Sequence, residues 1–303
     1  MKRLILFLTC VNFIISYPFF PTILTLSLPS NDPKKFRVEN TFPRWIQAAG
    51  GDLIIVHTWT NKTTLDDLIQ NKINGVLFQG NPGDINKESD YYKTVKYIYD
   101  KVIEIYGKEE NKKIPIMAVG NDMILISQIA TNKEVNVTKL ELDKPNTIKI
   151  LKNESLIFSE FQERDIKAIQ EKNICPNSLT HAMLYINETI NDTFNIIATS
   201  KVNENEYISV IEGKNYPMFG ISFHPEYVSF EQNTKFNIPQ NLNSVLAARL
   251  IANAFVFYGR NNCNNELSIP EKRNNNGTFG FIDPYVMFPS LYEDRYQFVY
   301  SKE

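Results

Sequence analysis

A chain of 303 residues, with a formal net charge of −2 and an apolar fraction of 43%, has room for one large or two small soluble domains. It carries no long run of one charge sign, so it lacks the basic face that binding nucleic acid requires. No internal repeat is visible.

Lys2 and Arg3 precede an apolar run from Leu4 to Ile15, followed by Ser16 and Tyr17-Pro18. This is the pattern of a secretory signal peptide, and the run is too short to span a bilayer comfortably. No later stretch reads as a membrane span. The expected organisation is a signal peptide over 1–16 and a single domain over 17–303, with an aromatic tail from about 264. Sequons at Asn61, Asn136, Asn153, Asn187, Asn191 and Asn276 predict a glycoprotein of the secretory pathway, with an extracellular, vacuolar or lysosome-like destination. Cys10 falls inside the signal, leaving Cys175 and Cys263. In an oxidising compartment that pair either closes a disulfide or stays as two buried thiols; sequence carries no Cα spacing to choose between them. Two thiols are too few for a cysteine zinc cluster, and no metal or cofactor site is expected.

Pro21 to Leu28 reads as an opening strand and Phe36 to Ala49 as a helix stopped by Gly50-Gly51. Asp52 to His57 is a second strand. Thr63 and Thr64 are set to cap a short helix through Gln70. Ile73 to Phe78 is a continuous apolar run, as in a strand buried on both faces. After the loop at Gln79 to Gly83, the segment from Asp90 to Tyr106 places apolar and aromatic residues at helical spacing, with Gly107 as its end. Ile114 to Val119 is another buried strand, and Gly120-Asn121-Asp122 turns the chain into an apolar helix from Met123 to Ala130.

That alternation predicts an α/β fold with a mostly parallel central sheet and helices on both faces. From about 131 the pattern becomes an antiparallel excursion, with strands Tyr207 to Ile211 and Met218 to Phe223 around the turn from Gly213 to Pro217. Leu246 to Tyr258 is a strong helix, broken at Gly259. The tail is rich in Phe and Tyr, which predicts that it packs on the body and ends in a strand.

The segment from Tyr216 to Glu226 is the most specific. An apolar strand ends in His224-Pro225-Glu226, and on an extended backbone His224 and Glu226 point to the same side. A carboxylate beside an imidazole fixes its tautomer and supports its charged form. Such a pair is either a general base awaiting a nucleophile or an ion pair at a sheet edge.

A strand ending in His-Pro-Glu, preceded by a strand, elbow and helix, resembles the class I glutamine amidotransferase-like fold, a flavodoxin-like three-layer sandwich. Within it the chain most resembles the γ-glutamyl hydrolases. Asn74 to Phe78 is similar to that family's strand before its Pro-Gly-Gly loop, Ser89 to Tyr92 to the start of its next helix, and Pro115 to Ser127 to its nucleophile strand and helix. Glu212-Gly213 and Tyr216-Pro217 match its approach to His-Pro-Glu. The resemblance implies hydrolysis of γ-linked glutamates by a Cys nucleophile, with His224 and Glu226 as its partners and His181 as a substrate contact. It implies a γ-glutamyl peptide or folylpolyglutamate ligand, no cofactor, and a homodimer.

The sequence departs from the family at the decisive places. Gly120 stands at the nucleophile, and the family's Gly-x-Cys-x-Gly reads Ala118-Val119-Gly120-Asn121-Asp122. Its Pro-Gly-Gly reads Gln79-Gly80-Asn81, so the oxyanion position falls to Gly80, Asn81 and Asn121. Ser127, the nearest hydroxyl along the helix, is roughly 10 Å away at the standard rise. Without a nucleophile, positioning and the oxyanion hole leave at best about 10³–10⁴ over uncatalysed hydrolysis. Asn81 and Asp122 also replace glycines that let backbone approach closely. The expected function is a non-catalytic homologue. The alternatives are a weak hydrolase in which His224 activates water, and a scaffold whose pocket is idle.

Overall fold

The computed structural model describes residues 20–29, 35–80, 86–109, 112–152, 154–186, 188–231, 237–263, 280–281, 288–289 and 296–301. The expected signal peptide lies outside them, as do Asn81, the sequons at Asn153, Asn187 and Asn276, and most of the tail.

The strands are β1 (Thr22–Leu26), β2 (Leu28–Pro29), β3 (Lys35–Glu39), β4 (Asp52–Val56), β5 (Gly75–Phe78), β6 (Ile116–Val119), β7 (Val137–Leu142), β8 (Lys149–Ile150), β9 (Leu179–Met183), β10 (Phe194–Val202), β11 (Asn205–Gly213), β12 (Met218–Ile221), β13 (Gly280–Phe281), β14 (Phe288–Pro289) and β15 (Tyr296–Ser301). The α-helices are α1 (Thr41–Ala48), α2 (Lys62–Asn71), α3 (Asp90–Lys108), α4 (Asn121–Thr131), α5 (Glu163–Glu171), α6 (Tyr227–Phe230) and α7 (Leu242–Asn262).

The main sheet runs β13-β4-β1-β5-β6-β12-β11-β10-β8. Its centre, β4-β1-β5-β6-β12, is parallel throughout. The strands β11, β10 and β8 then extend it in antiparallel pairing, which is the excursion the sequence pattern predicts.

Each central strand feeds two cores, because side chains alternate across a sheet. Leu24, Ile54, Val76, Phe78 and Ala118 face one way, where α2, α3 and α4 cover them. Ile23, Leu53, Ile55, Leu77 and Met117 face the other, under α1, α5 and α7. The result is a three-layer sandwich with helices on both faces. Two small sheets complete it: β14-β15-β3-β2, which ties the tail strand to β3, and β7-β9.

Several local expectations change. Phe36 to Glu39 is extended, in β3, and only the second part of the expected helix forms, as α1. Pairing with β15, some 260 positions on, overrides the local helical spacing. The cap of α2 is Asn61, whose side chain accepts from Thr63 N–H, and not a threonine. Gly259 does not break α7. A Cβ there would lie 2.4 Å from the Asn74 carbonyl oxygen, so glycine serves close packing of the helix on the loop before β5. Among the described residues α7 is long and apolar enough to cross a membrane, a test that the core helix of a soluble protein also passes. Ala247, Ile251, Ala252, Phe255 and Val256 fill the core under the sheet, while Leu242 and Phe257 are exposed.

The cysteine pair is not bridged. Cys175 is buried in the core on one face of the sheet and Cys263 in the core on the other, with the Cys263 Sγ directed at the Ile73 carbonyl. The sheet lies between the two sulfurs, so the buried-thiol alternative is the one realised. Burial raises the Cys175 thiol far above its ordinary range.

Candidate active site

The carboxyl ends of the parallel strands carry the site, as open α/β sheets favour. Gln79 and Gly80 follow β5, Gly120 follows β6, and His224 follows β12. Gly120 sits at φ 57° and ψ −131°, between a strand and the first turn of α4. Its N–H donates to the Ile221 carbonyl at 2.8 Å, which fastens the turn to β12. A residue with a Cβ is strained in that conformation, and it is the sharp strand-to-helix bend on which hydrolases mount a nucleophile. The backbone has the geometry of an elbow, with no side chain on it.

His224 faces the gap. Its Nδ1 meets Glu226 Oε1 at 2.7 Å, and its ring stacks on Tyr227 with centroids 4.7 Å apart and planes 7° apart. The pairing does not arise from strand alternation as the sequence suggests. Glu226 has helical φ and ψ and begins α6, so Pro225 turns the chain and the carboxylate swings back beneath the ring. Glu226 is fully buried, and burial pushes its carboxyl above the ordinary range. The neighbouring His224 pulls the other way, while Glu39 adds to the rise. Tyr227 OH donates to Glu39 Oε2 at 3.3 Å.

With Nδ1 held by the carboxylate, Nε2 is the working atom of the ring. A Cβ placed on Gly120 would lie 2.9 Å from His224 Nε2 and 3.0 Å from Cε1. The imidazole therefore stands against the elbow, closer than a real side chain there would allow.

The other expected residues divide. Gly80, at φ 89°, lies beside the elbow, its Cα 3.8 Å from the Cβ position of Gly120. The Gly80 N–H donates to Asp122 Oδ2 at 2.9 Å. Gln79 is structural: its amide bridges the Leu26 carbonyl and the Glu39 N–H. Asn121 donates from Nδ2 to Thr180 Oγ1 at 3.0 Å, and that hydroxyl lies 3.1 Å from His181 Nδ1. His181, on β9, thus reaches the elbow through Thr180, a residue that carries no motif in the sequence. Ser127 is buried and bonds back to the Met123 carbonyl inside α4, so it is no substitute nucleophile.

A second imidazole–hydroxyl contact lies farther along the same edge. Ser27 Oγ is 2.8 Å from His57 Nδ1, and the ring stacks on Trp59 at 4.3 Å. Ser27 is fully buried, so no substrate reaches its hydroxyl. Burial lowers the His57 imidazole from 6.5 to about 4, which keeps it neutral. Of the described sequons, Asn61, Asn136 and Asn191 are all exposed.

The model of the class-I glutamine amidotransferase family matches residues 39–239. The chain belongs to that family. Among curated proteins it is similar to γ-glutamyl hydrolase B of Dictyostelium discoideum, 26% identical with 89% of this chain and 76% of the relative covered. The human γ-glutamyl hydrolase is 23% identical, covering 75% of this chain and 72% of its own length. Among solved structures, a GMP synthase subunit from Thermoplasma acidophilum matches with a TM-score of 0.53 at 15% identity, over 80% of this chain and 96% of that one. The PurLQS structure from Thermotoga maritima matches at 0.50 and 13% identity, over 79% and 99%. These likenesses show the amidotransferase fold.

Proposed function

We propose that this protein is a γ-glutamyl hydrolase homologue that has lost covalent catalysis and retains a pocket for a γ-glutamyl chain. The observation that carries it is Gly120 at the bend of the elbow, facing the Nε2 of an imidazole that is otherwise fully equipped. Acyl transfer needs an atom to attack the amide and hold the acyl group, and glycine supplies none. His224, held by Glu226, and His181 would contact the ligand. The signal-like start and the exposed sequons support a glycoprotein of the secretory pathway, and the family resemblance supports a homodimer.

A second reading is favoured by one observation. The His224–Glu226 contact, at 2.7 Å, is the geometry of a working base, which could direct water at the amide without an acyl-enzyme. That route lacks the covalent step that divides amide cleavage into easier parts. The test is an assay of the purified glycosylated protein on γ-glutamylglutamate. No turnover above background is expected. Turnover that disappears in His224→Ala would establish the hydrolase instead.

A further inference from the structure

Asp122 does something in this site that the glycine of the family pattern could not. It is the second residue of α4, where a carboxylate ordinarily serves its own helix terminus. Here Asp122 also reaches across the site. Its Oδ2 accepts from the Gly80 N–H at 2.9 Å and from the Tyr91 OH at 2.7 Å. Asp122 is 1% exposed and Tyr91 3%, so both bonds are made out of water. Hydrogen bonds to a charged acceptor in such surroundings are the strong ones.

The Gly80 N–H has one hydrogen, and the loop that carries it is where the family resemblance puts the oxyanion. We propose that Asp122 is a built-in occupant of the oxyanion position and a specificity-determining residue of this pocket. Its carboxylate takes the amide donor that a substrate carbonyl would use, and its charge opposes any carbonyl or carboxylate approaching from that side. A γ-glutamyl chain then binds without that donor, and the site grips it weakly. The inference rests on reading the pocket as one for γ-glutamyl ligands. The Tyr91 phenol is pushed well above its ordinary range, first by burial and then by the neighbouring Asp122.

Calorimetric titration of γ-glutamylglutamate into the full glycosylated chain, D122G and D122N tests this. D122G frees the Gly80 N–H and should bind about tenfold more tightly than the parent, the gain expected when one buried donor regains a partner. D122N removes the charge but keeps an acceptor on that N–H, so it should gain less than D122G. Equal affinity in the parent and D122G would overturn the occupancy. So would equal gains in D122G and D122N, since charge alone would then explain them. A second measurement needs no variant: the Gly80 amide of the unaltered protein should exchange its hydrogen slowly, and exchange at the solvent rate would overturn the proposal. Absence of binding in all three proteins, with Gly80 protected, upholds the occupancy and strikes at the γ-glutamyl reading. Turnover by the parent would strike at the loss of catalysis alone.

Discussion

On one wall of the site the side chains persist, and on the other only the backbone does. His224, Glu226 and Tyr227 form a stacked, hydrogen-bonded unit that could serve a nucleophile. Across from them, Gly120 has the bend of an elbow and its bond to β12, with no side chain on it. The difference shows that the elbow's conformation belongs to the strand, the helix and the bond at Ile221, and does not need the nucleophile. The imidazole leans against Gly120, and Asp122 accepts from the donor beside it, so this wall is closed rather than open.

The sharpest attack on that contrast is Gly120→Cys. If the wall were open, the thiol would drop into place and restore turnover. The geometry predicts otherwise, because the new Cβ would sit 2.9 Å from His224 Nε2, a ring held by Glu226 and by stacking on Tyr227. Left-handed backbone at a residue with a Cβ adds its own strain, and the two together should cost about 2–4 kcal/mol. Denaturant melts should show that loss, and the γ-glutamylglutamate assay should show no gain. Robust turnover in Gly120→Cys would mean that the imidazole yields easily and only the nucleophile was missing.

Acidification probes the same edge at His57. Its folded value is about 4 against an ordinary 6.5, so in that window the unfolded chain takes up a proton that the folded chain refuses. The His57 contribution is therefore whole above pH 6.5 and is lost as the pH falls toward 4, an effect on the order of 2 kcal/mol. Melts across that range in the parent and in His57→Gln measure it; a flat difference between the two would remove His57 as the cause. An acidic vesicle would expose the protein to this loss.

Glu226→Gln tests the persistent wall. A glutamine can still accept from His224 Nδ1 but cannot support its charged form, and a fully buried carboxylate becomes a neutral amide. Stability should change by about 1 kcal/mol or less, since burial already strains the carboxylate. Denaturant melts measure the change, and a loss of about 3 kcal/mol or more would show that the ion pair holds this wall together.

Much of this was legible in the sequence, for identifiable reasons. The central strands are continuous apolar runs that need both faces covered, so the layered sheet could be read from them directly. The His224–Glu226 pair could be read because His-Pro-Glu is a compact motif, and the glycine at the bend because Pro115 and Ser127 fix the register across Gly120. The sequence misled where the answer depended on distant pairing. Phe36 to Glu39 has helical spacing but is claimed by β15. Asp122 read as a mere intruder because its partners, Gly80 and Tyr91, lie more than thirty positions away. Thr180 carries no signal of its own and matters only because Asn121 and His181 flank it.

The gentlest probe separates stacking from hydrogen bonding on the surviving wall. Tyr227 touches that wall in two ways: its ring lies parallel to His224 at 4.7 Å, and its hydroxyl reaches Glu39 at 3.3 Å. The second contact is long for an O–H donor, so Tyr227→Phe should cost only about 0.5 kcal/mol and leave the ring where it is. Tyr227→Ala removes the ring as well and opens a cavity beside a buried imidazole, which should cost about 3 kcal/mol. If the two variants lose equally, the hydroxyl rather than the stack holds His224, and Glu39 becomes part of the apparatus that keeps the imidazole against the elbow.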